Sequence, residues 1–354
     1  MAFLVAGEYI FGGRNSSGDK VNREDLLDVI TLTSPYDHPF LTMVQKGTAS
    51  DVVHSWLNEA LTATATGGGT QYAEGAAFSA AAIQTRTRLS NLCEIFRKDV
   101  QASNTQRAVK PAGVADEYLH QVNIAIKEVA RDIELTLLQG NAASATGTTG
   151  ATTYMRNIRG AITTNAFSTS STAIGATGVG FSTTSWALGE LMFNATLERV
   201  YLQGGKVDTV FCNGSTKRQI SRFTNMTAPN YGGTSITARN IAAEAKTIVS
   251  AVDTFETDFG RVNIVLDRWV GTTEGGPGHG TVNPDNRAFF LQMDTWELSF
   301  LRPLKHVPLP PGGDAVRGMV LAELTLTHFA EQWNASIGNI STLLRQTSDT
   351  TVTA

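Results

Sequence analysis

Residues 62–82 read TATATGGGTQYAEGAAFSAAA. Three glycines stand in a row at Gly67–Gly69, alanine dominates after Glu74, and only Tyr72 and Phe78 are large aromatics. Such a stretch cannot build a core of its own. Its flanks, by contrast, are patterned. Residues 51–61, DVVHSWLNEAL, are strand-like. Residues 81–103 alternate, with Ile83, Thr85, Thr87 and Leu89 on one side and Gln84, Arg86, Arg88 and Ser90 on the other. That is the period of a strand with one polar face. Two strand-like limbs joined by a glycine-rich tip predict a long β-hairpin.

Working outward, residues 1–20 are rich in Gly, Asn and Ser without a period and read as an extended arm. Residues 22–34, NREDLLDVITLTS, predict a short amphipathic helix. Asn22 would be its N-cap, and Leu26, Leu27 and Ile30 its apolar stripe, before Pro35 and Pro39 end it. Beyond the hairpin, residues 113–140 carry the clearest helical pattern. Tyr118, Val122, Ile126, Val129, Ile133 and Leu137 recur at helical spacing, and Gly140-Asn141 supplies a stop. About 25 such residues make a rod of roughly 37 Å. Glu128–Arg131 and Arg131–Glu134 are spaced for ion pairs along it. The low-complexity NAASATGTTGATT at 141–153 reads as a loop.

A second region follows. Helices are expected at 183–205 and at 213–224, the latter entered through Asn213 and Ser215, with a short buried strand at 207–212 between them. Residues 246–270 predict two strands joined at Thr257–Gly260. Residues 271–286 form a Gly/Pro-rich loop. Apolar strand runs at 287–304 and 316–333 are split by PLPPGGD at 308–314, and the polar end at 346–354 is expected to fray. The sum is an α+β chain with long extended appendages.

Composition narrows the function. The chain has 354 residues, 42% hydrophobic and 17% charged, enough for about two domains with a real core. A net charge of −4 gives no counterion-release argument for reading DNA sequence. Cys93 and Cys212 are too few for a disulfide framework or a zinc cage and read as buried thiols. The N-terminus MAFLVAGEYIFGG lacks a basic region and meets Glu8 early, unlike a signal peptide. No run of about 18 apolar residues predicts a membrane span. The sequons at Asn194, Asn225 and Asn334 therefore carry no glycosylation signal.

Chemistry is not signalled. NGSTKRQ at 213–219 lacks the glycine pattern of a phosphate loop, and a plain helix N-terminus explains it. GGPGHG at 275–280 has no strand-then-helix context for a dinucleotide fingerprint. The six histidines are scattered, with none within four residues of another. Asp267 and Arg268 are adjacent, yet neighbours on a strand face opposite ways, so a buried ion pair elsewhere or a surface contact is expected rather than a catalytic pair. No catalytic, cofactor-binding or metal residue is assigned. The unusual features are extensions, and Phe3, Tyr9, Phe11, Tyr72 and Phe78 need apolar cover that one subunit does not offer. A neighbouring copy supplies it, and such contacts repeated by symmetry close into rings or shells.

The order of these elements resembles the major capsid proteins of tailed bacteriophages, whose fold is shared by the herpesvirus capsid floor and the bacterial encapsulins. The wording that carries the likeness is EIFRKDVQASNTQRAV at 94–109, EVARDIELTLLQGN at 128–141 and NGSTKRQISRFT at 213–224. TDFGRVNIVLDRW at 257–269 and MDTWELSFLRPL at 293–304 complete it. The resemblance implies an N-terminal arm at 1–50 and a hairpin called the E-loop at 51–98. It implies a peripheral P-domain at 99–165 and 297–335 with a spine helix near 113–140. An axial A-domain, with mixed sheet and flanking helices, would span 166–296, and a C-terminal tail 336–354.

It implies a non-enzymatic shell subunit, without cofactor, that forms hexamers and pentamers of an icosahedral shell around double-stranded DNA. DNA would be touched non-specifically and no membrane would be bound. A portal protein is an implied partner, as are separate scaffolding and decoration proteins. Assembly would occur in the host bacterial cytoplasm and the product would be the virion capsid. Inter-subunit contacts would fall on Phe3, Tyr9, Phe11, Tyr72, Glu74 and Phe78, with Arg86 and Arg88 meeting acids next door. Some relatives crosslink their shells through an E-loop lysine, but residues 57–96 contain none, so no such bond is expected. A first helix by residue 22 leaves no room for a leading scaffolding domain. The alternatives are an encapsulin-like shell loading enzyme cargo and, remotely, a soluble hydrolase with a spatially assembled site.

Overall fold

A computed structural model gives the fold. It describes residues 32, 34–61, 73–77, 85–109, 113–146, 152–168, 188–221, 223, 226–229, 235–238, 252–271 and 286–340. The arm at 1–20, almost all of the helix expected at 22–34, and the loop at 272–285 lie outside them.

Along the chain come α1 (Pro39–Met43), β1 (Gln45–Thr48), β2 (Val53–Asn58), β3 (Thr87–Leu92) and β4 (Glu94–Ser103). Then follow α2 (Asn104–Ala108), α3 (Glu117–Gln139), α4 (Ile158–Ala161), β5 (Ala166–Ser168) and α5 (Glu190–Leu202). The next elements are β6 (Thr209–Cys212), α6 (Gly214–Ile220), β7 (Met226–Pro229), β8 (Ser235–Ala238), β9 (Thr254–Thr257) and β10 (Gly260–Leu266). Last are β11 (Ala288–Leu291), β12 (Trp296–Leu309), β13 (Ala315–His328) and β14 (Ala335–Gly338).

Two sheets carry the fold. The first is ordered β1-β12-β13-β4, with β1 parallel to β12 and the other pairs antiparallel. The second is ordered β5-β14-β11-β6-β10-β9. β12 is irregular around Arg302, where its register on β13 shifts twice. Pro303, which has no N–H to give a ladder, falls within that irregular stretch.

Helix α3 lies on the four-stranded sheet. Asp116 is its N-cap, its side chain accepting from the Tyr118 N–H at 2.9 Å, and Gly140 ends it. Its buried face is Tyr118, Val122, Ala125, Val129, Ile133, Leu137 and Leu138, a stripe at helical spacing. Opposite it stand Leu298, Val320, Ala322, Leu324 and Leu326 of β12 and β13. The expected ion pairs within α3 do not form. Glu128 reaches Lys98 of β4 at 3.0 Å, Arg131 turns to Asp132 at 3.2 Å, and Glu134 is fully buried.

The six-stranded sheet is where the two cores meet. β6 and β11 are buried on both faces. Alternation sends Phe211, Phe289 and Leu291 into the core under α3, and Val210, Cys212, Ala288 and Phe290 into a second core under α5. At the centre of that second core Phe193 makes edge-on contacts with Phe223, Phe255 and Phe290, ring centroids 5.0–5.8 Å apart.

Three expectations change. The single strand read at 81–103 is two, parting at Cys93: β3 pairs with β2, and β4 pairs with β13 over its whole length. The run at 287–304 is likewise two strands in different sheets, hinged by a short 3-10 turn at Met293–Thr295. Residues 336–338, expected at the start of a tail, belong to β14, an interior strand between β5 and β11.

Candidate assembly surface

β2 and β3 pair only with each other, antiparallel from Val53 opposite Leu92 to Asn58 opposite Thr87. They leave the body at a base built from polar and aromatic groups. Asn91 donates to the carbonyls of Leu326 at 2.8 Å and Arg156 at 3.1 Å, while its oxygen accepts from the Arg156 N–H at 2.8 Å. Trp56 of β2 packs edge-on to His328 of β13, centroids 5.2 Å apart, and the Trp296 ring lies tilted against the same imidazole, centroids 5.9 Å apart. Burial, reinforced by the Arg156 cation, pushes the His328 pKa down to about 4, so the ring is neutral at physiological pH. The side chain of Asn58 donates to the Phe329 carbonyl. The hairpin is therefore aimed by fixed bonds at its root.

Away from the root the hairpin has little cover. Leu57 is 60% exposed and Leu61 95% exposed, and at the root itself Val52 and Val53 are exposed as well. Leu57 lies opposite Arg88 on the polar side of the ribbon. A run of exposed aliphatic side chains on a two-stranded ribbon marks a contact surface.

The sequence-assigned contact residues fall in three groups. Phe3, Tyr9, Phe11, Tyr72 and Phe78 lie outside the described residues. Glu74 is exposed in a turn where Gly75 adopts a positive φ of 77° and the Ala76 N–H reaches the Ala73 carbonyl. Arg86 and Arg88 both find partners within the hairpin: Arg86 donates to Glu59 at 3.1 Å and Arg88 to the Ser55 hydroxyl at 3.0 Å. Sequence reasoning missed Leu57 and Leu61 as the exposed apolar pair. The signal was present, since Leu57 sits out of phase with Trp56.

The remaining chemistry candidates resolve into structure. Arg268 pairs with Asp37 at 2.7 Å, while Asp267 turns inward and is buried. The two neighbours thus have separate surroundings, although both lie just beyond the end of β10 and not on a strand. Both thiols are buried and burial pushes their pKa values up, Cys93 to about 11 and Cys212 to about 12. Among the described residues no three His, Cys, Asp or Glu side chains gather as a metal ligand set. None of their helices is long and apolar enough to cross a membrane.

Residues 13–341 match the profile of the SU10 major capsid protein family. The major capsid protein of Escherichia phage Phieco32 is 28% identical over 138 residues, 39% of this chain and 38% of that one. The chain thus spans well under half the length of that curated relative. Among solved structures, the Cyanophage A-1(L) capsid superposes with a TM-score of 0.58 at 12% identity, covering 90% of this chain and 97% of that one. The holo-SrpI encapsulin complex of Synechococcus elongatus PCC 7942 superposes with a TM-score of 0.53 at 8% identity, covering 91% and 93%. These likenesses establish the shared shell-protein fold.

Proposed function

The chain belongs to the SU10 major capsid protein family and is a phage major capsid protein; from that premise we propose how it builds a shell. The observation that carries the reading is the projecting hairpin, whose Leu57 and Leu61 lack cover in their own subunit. A neighbouring copy provides that cover. Each hairpin lies over the next subunit, as does the arm at 1–50, so that Phe3, Tyr9, Phe11, Tyr72 and Phe78 find apolar surroundings there. Glu74, Arg86 and Arg88 form the polar margin of the same contact. In this reading residues 51–98 are the E-loop, the α3 layer is the P-domain, and the α5 layer is the A-domain around which hexamers and pentamers form.

The shell encloses double-stranded DNA and touches it non-specifically, which suits a chain of net charge −4. The subunit acts by packing and not by catalysis, without a cofactor. A portal protein and separate scaffolding and decoration proteins complete the assembly in the host bacterial cytoplasm. An encapsulin-like cargo shell would use the same fold, and the family match over 13–341 favours the phage reading.

The double variant Leu57→Glu/Leu61→Glu tests the hairpin's role. Both side chains are exposed, so the subunit's far-ultraviolet circular dichroism should match wild type. Sedimentation should move from large assemblies to free subunits, because two buried charges at each repeated contact are strongly unfavourable. Assembly at wild-type yield would remove the hairpin from the interface.

A further inference from the structure

The segment at 36–43 is fastened to two parts of the molecule at once, through a pair of buried acids. Glu134 of α3 accepts from the backbone N–H groups of both Phe40 and Leu41 at 2.7 Å, one to each carboxylate oxygen. It thereby replaces a capping side chain, since His38 at the N-cap of α1 makes no side-chain cap bond. The carboxyl of Asp267, just beyond β10 and itself buried, neighbours that of Glu134 closely enough for each to act on the other's protonation. Its Oδ1 accepts from the Trp269 N–H at 2.8 Å, while Oδ2 is buried and meets no donor. The Trp269 indole returns a hydrogen bond to the Asp37 carbonyl at 2.7 Å.

Two carboxylates in contact inside a core cannot both be ionised without heavy cost. Burial pushes both above the usual carboxylate range, and the neighbouring Asp267 charge pushes Glu134 further. Glu134 has an N–H donor on each oxygen and Asp267 Oδ2 has none, so one proton between the two carboxyls supplies the missing donor. We propose that Glu134 and Asp267 hold a single proton between them, and that this proton latches residues 36–43 onto α3 and the six-stranded sheet.

The other charged groups around the pair have partners elsewhere. Asp37 is occupied by Arg268, Arg131 lies 6.0 Å from the Trp269 ring and pairs with Asp132, and Lys127 lies over Tyr36. His38 turns its ring to the Tyr36 carbonyl, and Cys212 gives Asp267 only its backbone.

The sign follows from the proton count. The closed latch keeps a proton that the open, hydrated acids release above the ordinary carboxylate range. Closure is therefore tightest at low pH and weakens as pH rises, by up to about tenfold in the closing constant per pH unit. Hydrogen exchange of the full chain between pH 5 and 9 reads this directly. The peptide covering residues 37–44 is followed by mass spectrometry, with rates corrected for intrinsic exchange. Wild-type protection of that peptide is expected to fall with rising pH by up to about tenfold per unit. Asp267→Asn gives Glu134 an N–H donor that does not titrate in place of the shared proton, so its protection should stay high and flat. Glu134→Gln removes one backbone acceptor, so its protection should be lower throughout. His38→Gln should keep the wild-type slope.

A flat wild-type profile would overturn the proposal, and that result does not require any variant to fold. So would a wild-type slope retained in Asp267→Asn, or one abolished by His38→Gln.

Discussion

Asn334→Ala is expected to destabilise the folded chain by about 3–5 kcal/mol, because four partners, two of them buried, lose their hydrogen bonds together. Asn334 is fully buried. Its oxygen accepts from the Gln292 N–H at 2.9 Å and the Trp296 indole at 2.8 Å. Its amide donates to the Thr295 hydroxyl at 3.0 Å and the Ala330 carbonyl at 2.9 Å. These groups belong to the turn between β11 and β12 and to the turn leading from β13 into β14, where the chain crosses between its sheets. Alanine fills none of these roles. Equilibrium urea unfolding of the unassembled chain measures the loss. Asn334→Asp should fare no better, since it keeps the acceptor but loses both donors and buries a charge. A loss below about 1 kcal/mol would mean that the junction is not a fixed element of the fold.

Phe193→Ala should cost about 3–5 kcal/mol through a different term, the cavity left at the centre of the second core. Its ring is fully buried and stands edge-on to three others. Phe193→Leu keeps much of the volume and should cost less. The loss should also be local. Amide protection in α5, β9 and β10 should fall more than in α3 and β13, which pack in the other core. Equal loss in both layers would show that the two cores open as one unit.

How much of this was legible in the sequence depends on distance along the chain. α3 was readable almost to its ends because its period and its stop at Gly140 are local signals. The same holds for β6, for α6 with its Asn213 cap, and for the β9–β10 turn at Gly260, whose φ of 127° suits glycine. The hairpin limbs were readable from alternation. The switch at Cys93 was not, since alternation runs through it and only the pairing partner changes.

The misses share one cause. Glu134 looked like half of an ion pair with Arg131, three residues away, yet its partners are Phe40, Leu41 and Asp267, each more than 90 residues distant. Asn334 looked like an idle sequon, and its bonds are to residues drawn in by tertiary structure. β14 is four residues long with no period of its own, and it is a strand only because β5 and β11 flank it. On the candidate surface, Leu57 and Leu61 escaped notice because apolar residues in a strand read first as core.

The central claim, that copies of this chain close into a shell, is tested most directly by electron microscopy of the purified wild-type protein across protein and salt concentration. Closed shells or capsomer rings of a single kind are the predicted result. Free subunits under every condition, including when co-expressed with the genes that neighbour its own, would contradict it.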